Sequence, residues 1–203
     1  MFKKSKKELI EEIHTMKLFA EGAITVYDFW EEFNNNHKLK DLIYNDKLLP
    51  IKNKPFLFEN LNLDFLYHRC EIFRVVKCYF MRRKIELNFN SDDEKTYSEL
   101  LDNVPSYVDI DSKWFLENVL NKCTFPYGSK ERKNFFKQTV KEMYRYVNRP
   151  PKWLHSSEWP IGANGPMVFI KQSNYPNNFD CDMIQFVFYD EHKKEEHIII
   201  QED

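Results

Sequence analysis

Glycine is scarce in this chain, at 4 of 203 residues. Loops that wrap phosphate with bare backbone need it at several positions, and neither Gly-x-Gly-x-x-Gly nor Gly-x-x-x-x-Gly-Lys-Ser/Thr occurs. Cysteine is equally sparse. Cys70, Cys78, Cys123 and Cys181 are scattered with no Cys-x-x-Cys pair, so they read as reduced thiols rather than a disulfide framework. No charge of one sign dominates: 30 Lys+Arg face 32 Asp+Glu, a net charge of -2, without the basic excess usual in nucleic-acid binders. No apolar run approaches the roughly 20 residues that cross a bilayer. The polar start Met-Phe-Lys-Lys-Ser-Lys-Lys lacks the apolar stretch of a signal peptide. These absences set the expectation of a cytoplasmic chain with neither a membrane nor a nucleic acid as partner.

What remains is rich in core material, with 42% hydrophobic and 16% aromatic residues against 31% charged. Up to Val147 the pattern is helical. Ser5 to Glu8 reads as a capping box for a helix that Gly22 ends, and Thr25 to Asp28 starts a second carrying Val26, Phe29, Trp30 and Phe33. The Asn34–Asn36 run separates it from a short helix with Leu39, Leu42 and Ile43. Pro50 and Pro55 then read as a loop. The longest helix is expected over Asn62–Leu87, where Leu63, Leu66, Cys70, Phe73, Val76, Phe80 and Leu87 return to one side. Ser91 to Glu94 caps a helix with Tyr97, Leu100 and Leu101, and a further helix holds Trp114, Phe115, Val119 and Leu120. Ser129 caps the last, with Phe136, Val140, Tyr144 and Val147, which stops before Pro150.

The period then changes. Met167–Gln172, Met183–Tyr189 and His197–Gln201 are short, β-branched and aromatic, as strands are, with Asp190–Lys194 as a hairpin loop. The fold class expected is α+β: a helical domain over 1–148, then a small antiparallel β subdomain over 149–203.

Catalytic constellations are hard to find. His68 and Cys70 are two apart on a helix, so they point about 200° from each other and share an ion poorly. No other histidine has a ligand at zinc-like spacing. None of the cysteines carries a local mark of activation, and adjacent carboxylates such as Glu11-Glu12 or Asp92-Asp93 diverge on a helix. No catalytic, metal or cofactor residue is assigned, and the chain is expected not to be an enzyme. Arg69, Arg74, Lys77, Arg82, Arg83 and Lys84 give the Asn62–Leu87 helix a basic side, read either as a solvated face paired with Glu71 and Glu86 or as an RNA or nucleotide contact. Acidic residues gather near the end, and Asp180, Asp182, Asp190, Glu191, Glu195, Glu196, Glu202 and Asp203 could protect strand edges or steer a basic partner. Trp153 and Trp159 could be core residues or interface anchors.

One stretch is distinctive: Pro151-Lys-Trp-Leu-His-Ser-Ser-Glu-Trp-Pro-Ile, then Asn164-Gly-Pro-Met-Val-Phe-Ile-Lys-Gln, then Gln185-Phe-Val-Phe-Tyr-Asp. It resembles the C-terminal cassette of bacterial immunity proteins from polymorphic toxin and contact-dependent growth inhibition systems. It is also similar to a domain of unknown function in which a Trp-Pro step precedes an apolar strand ending in Gln. The segment Leu18–Phe33 adds a weaker echo of helical immunity proteins. The resemblance covers about the last quarter of the chain and implies a protein that binds and occludes a cognate toxin domain, often a nuclease. It implies no shared catalytic residue. The partner-facing residues expected on this reading are Asp180, Asp182, Glu191, Glu195, Glu196, Trp153 and Trp159. The alternatives are an RNA- or nucleotide-binding factor using the basic helix face, and a structural subunit of a phage or mobile-element assembly.

Overall fold

A computed structural model describes residues 8–52, 54–174 and 183–203. The order of elements is α+β as expected: helices first, then an antiparallel three-stranded sheet. By compactness the chain divides into two units, 1–97 and 98–203, with the division inside α6 (Asp92–Asn103). The boundary expected at 148–149 falls within the second unit.

The first unit is built from α1 (Glu8–Ala20), α2 (Val26–Asn35), α3 (His37–Tyr44), α4 (Lys54–Glu59), α5 (Leu66–Arg82) and the start of α6. Thr25 closes a full capping box: its hydroxyl accepts from Asp28 N–H, while the Asp28 carboxylate accepts from Thr25 N–H. Asn36 ends α2 and caps α3 through Lys38 and Leu39 N–H. Gly22 takes φ +74°, and Ala23 N–H reaches back to Leu18 C=O, so α1 ends in a left-handed turn. A side chain at Gly22 would come within 2.9 Å of Asn90, which makes glycine obligatory there. The core is stacked aromatics: Phe19 on Phe29 at 4.5 Å and Phe33 on Phe58 at 4.7 Å, with Phe73 of α5 edge-on to Phe19.

Two expectations are corrected here. The longest described helix is shorter than Asn62–Leu87, because Lys84 adopts φ +56° and Ile85 N–H bonds Phe80 C=O. This is a glycine-type helix stop made by a lysine, and nothing in the composition marks it. Pro55 does not sit in a loop but in the first turn of α4, where a missing N–H removes no helical bond. Ser5 of the first expected capping box lies outside the described residues.

In the second unit α6 continues to Asn103, followed by α7 (Lys113–Phe115), a π-helical turn (Leu116–Leu120) and α8 (Lys130–Met143). The helix expected around Trp114 is therefore half π-turn. Ser129 caps α8 through Arg132 N–H, as its position predicts. The end of α8 is corrected: Tyr144 is its C-cap rather than interior. Residues 145–147 run extended beside a strand, with Phe169 N–H donating to Arg145 C=O and Val147 N–H to Phe169 C=O. Backbone pairing with the sheet outweighs the helical pattern that Val147 suggested.

A two-residue ladder, β1 (Ile161–Gly162) with β2 (Gly165–Pro166), turns at Ala163-Asn164, with Gly165 at φ +122°. The main sheet has the order β3 (Val168–Asn174), β4 (Met183–Asp190), β5 (Glu195–Glu202), all antiparallel. In the β4–β5 turn, Asp190 Oδ1 accepts from His192 and Lys193 N–H, and Lys194 supplies the positive φ.

Candidate protein-binding surface

Strand alternation gives the three-stranded sheet two faces of different chemistry. On the inner face Phe169, Phe186 and Phe188 are fully buried. Trp153 lies on Phe186 at 4.6 Å and its indole N–H donates to Tyr107 C=O. Trp159 is 7% exposed, meets Tyr144, Phe169 and Phe188, and donates to Met167 C=O. Both indoles thus have their polar edge satisfied and their rings packed. The segment 152–156, which has no regular structure, is held by two glutamine side chains. Gln172 accepts from Lys152 N–H, and Gln201 accepts from Leu154 N–H while donating to Ser156 C=O. The Trp-Pro cassette is therefore the cover of the inner face.

The outer face follows from the register: Tyr189 opposite Glu196, Val187 opposite Ile198, Gln185 opposite Ile200 and Met183 opposite Glu202. Ile198 is 51% and Ile200 43% exposed, beside a buried Val187. An apolar strip thus runs along β5 with a carboxylate at each end. Among the described residues β5 pairs only with β4, so its other side is a free edge, and its ladder has no register shift along eight residues. The β3 side is different. It carries a bulge between Phe169 and Lys171, and the 145–147 segment already occupies it at Phe169.

The acidic residues singled out from sequence are placed unequally. Glu191 is held by Arg145 at two points, which lowers its pKa through the hydrogen bond and the charge of that guanidinium. Glu195 pairs with Lys193 at 3.4 Å. Glu196 is exposed and makes no ion pair among the described residues. Asp180 and Asp182 lie outside the described residues. Ile198 and Ile200 were not singled out. The run Glu-Glu-His-Ile-Ile-Ile-Gln-Glu carried the signal, since isoleucine at three successive strand positions must put apolar surface on both faces.

Two other places were candidates. On α5, Arg69 bonds Asp93 and Leu63 C=O, Arg74 bonds Glu71, Lys77 bonds Glu94, and Arg83 bonds Asp46 in a bidentate pair while lying 3.7 Å over the Tyr79 ring. Four of the six basic residues are thereby committed to carboxylates, leaving Arg82 and Lys84 outward. Beside the β4–β5 turn a cleft of about 250 Å³ is lined by Arg145, Asn164, Tyr189 and Glu191. There Asp190 Oδ2 is buried and unpartnered, but it faces Gly162 so closely that a side chain at that glycine would sit 3.0 Å away. The backbone closes that oxygen off from a ligand.

Cys70 is buried, and desolvation pushes its thiol up to about 12, which makes it an inert core group. Among the described residues no three His, Cys, Asp or Glu side chains converge as a metal site would require, and no helix is long and apolar enough to cross a membrane. Comparison with protein-family models, with curated proteins and with solved structures returned no match.

Proposed function

We propose that this chain is a non-enzymatic immunity protein that works in the cytoplasm, binding a cognate toxin domain and denying it its substrate. The observation that carries the reading is the outer face of β5, where Ile198 and Ile200 stand exposed between Glu196 and Glu202. An exposed apolar strip with a polar rim suits a protein partner. Carboxylates at its ends steer and select a basic one, as nuclease domains are. Glu191 and Glu195 at the hairpin end are already paired with Arg145 and Lys193 and add little to that rim, while Trp153 and Trp159 support the sheet from below as packing. The basic face of α5 favours this reading over RNA binding, because most of its charge is already neutralised within the fold.

The test is co-purification of the tagged chain from its native cell, with the neighbouring gene read at the same time. A stoichiometric complex with the C-terminal domain of a large secreted protein is expected, disrupted by Ile198→Asp. Recovery of nucleic acid, or of an uncomplexed chain beside an unrelated neighbour, would overturn it.

A further inference from the structure

We infer that β5 takes its partner by strand addition: an extended segment of another protein, apolar at its centre and flanked by Lys or Arg, pairs with the free edge of Glu195–Gln201. This deepens the preceding reading and rests on it only for the identity of the partner. Three features point to backbone pairing rather than side-chain docking alone. The β5 ladder is regular from Glu195 to Glu202, so its outward N–H and C=O groups form an unbroken row. Edge strands usually carry a bulge, a proline or a central lysine that prevents pairing, and β5 has none of these between its glutamates. The opposite edge of the same sheet has both a bulge and an occupying segment. At the far end His155 donates to Glu202 C=O, which closes the last position and limits the open row to Gln201.

The charge pattern selects the occupant. In antiparallel self-pairing, the register that centres Ile198 and Ile199 sets Glu195 of one copy against Glu202 of the other. A one-residue slip in one direction sets Glu196 against Glu202, and in the other sets Glu196 against Ile200. In-register parallel pairing stacks each glutamate on itself. Like charges directly opposite are destabilising, which disfavours every one of these registers but the slip that sets Glu196 against Ile200, and there Glu195 and Glu196 face uncharged residues and gain no cation. A strand with cations at both ends meets carboxylates at both ends, and its alternate apolar side chains continue the Ile198–Ile200 strip across the outer face.

The test uses two peptides, Lys-Lys-Val-Thr-Ile-Val-Lys-Lys and Glu-Glu-Val-Thr-Ile-Val-Glu-Glu, added to the full chain while amide hydrogen exchange is followed by NMR. In the free chain every second amide of β5 should exchange fast, since it points to the unpaired edge. The lysine-flanked peptide should slow those amides, and bind at least about tenfold tighter than the glutamate-flanked one, from opposite-charge contacts to Glu195 and Glu196 at one end and Glu202 at the other. The double variant Glu196→Lys/Glu202→Lys, both exposed, should reverse the preference and leave the melting temperature unchanged. Unaltered exchange of the outward β5 amides, or equal slowing by both peptides, would overturn the inference. Capture of a toxin domain with those amides still exchanging fast would sink strand addition alone. Peptide pairing without any toxin capture would sink the immunity reading alone.

Discussion

Replacing Glu99 by alanine should destabilise the second unit by about 3 kcal/mol, the low end of the range for removing one partner of a buried pair. The Glu99 side chain is 3% and the Arg132 side chain 11% exposed, with Arg132 Nε 2.6 Å from Glu99 Oε2. The other carboxylate oxygen accepts from Gly128 N–H at 3.1 Å. One carboxylate therefore ties α6, α8 and the turn between them. Its removal strands a guanidinium and a backbone donor together. Arg132 keeps Phe125 C=O at 3.1 Å and the Phe136 ring at 5.1 Å, which is why the low end applies. In a unit of this size 1 kcal/mol moves the melting temperature by about 4–8 °C, so the shift should be on the order of 15 °C. Glu99→Gln should lose less, about 2 kcal/mol, because its amide accepts one bond but turns a donor toward the second. Glu99→Leu with Arg132→Met should recover most of the loss, since an apolar pair of similar volume needs no solvation. Urea unfolding by tryptophan fluorescence reads this directly, as Trp114, Trp153 and Trp159 all lie in 98–203. A loss under about 1 kcal/mol for Glu99→Ala, or a double variant as unstable as the two single losses summed, would refute the argument.

Further outcomes follow from other contacts. Burial alone would raise the Asp46 carboxyl, but bonds from Arg83 and Leu48 N–H, with the Arg83 and Lys54 charges, hold it below the usual range. The stability this gives is present above the unfolded value of about 3.9 and is lost as pH falls through the lower folded value. Asp46→Asn should therefore flatten the acid limb of a stability-against-pH curve, and an unchanged limb would count against the pairing. Lys84→Gly should raise stability by about 0.5–1 kcal/mol, the left-handed strain relieved less the added freedom of the unfolded chain, as a denaturant midpoint would show. Trp159→Ala should cost about 3–5 kcal/mol by thermal melting, whereas Ile198→Thr, on the exposed strip, should stay within about 0.5 kcal/mol of the parent.

Much of the fold was legible where a side chain acts locally. Thr25 with Asp28, Ser91 and Ser129 cap the helices that their positions announce, because the bonds are made within three residues. The α5 stop at Lys84 was not legible, since a lysine in left-handed geometry looks like any lysine. Nor was the end of α8, where apolar Tyr144 and Val147 keep helical spacing but the backbone after Tyr144 turns to pair with Phe169. Glu71, three residues before Arg74, was legible as its partner, but the partners of Arg69, Lys77 and Arg83 were hidden. Asp46, Asp93 and Glu94 lie 37, 24 and 17 residues away in sequence, beyond any spacing rule. For the candidate surface, the acidic hairpin was visible as composition. The choice between Trp153 and Trp159 as cover and Ile198 and Ile200 as contact surface needed the strand register.

The glutamines that hold the Pro151–Ser157 cover have a dynamic consequence. A carboxamide offers the same acceptor and donor as a peptide group, so Gln172 and Gln201 act as two extra peptide units projecting from the sheet. Lys152 and Leu154 lie outside any helix or strand, yet their N–H groups open only when the glutamines of β3 and β5 let go. Their protection against solvent exchange should track that of the strands and not that of a loop. The cover and the sheet then form one cooperative unit, and its two glutamine joints carry no charge that pH or salt could act on.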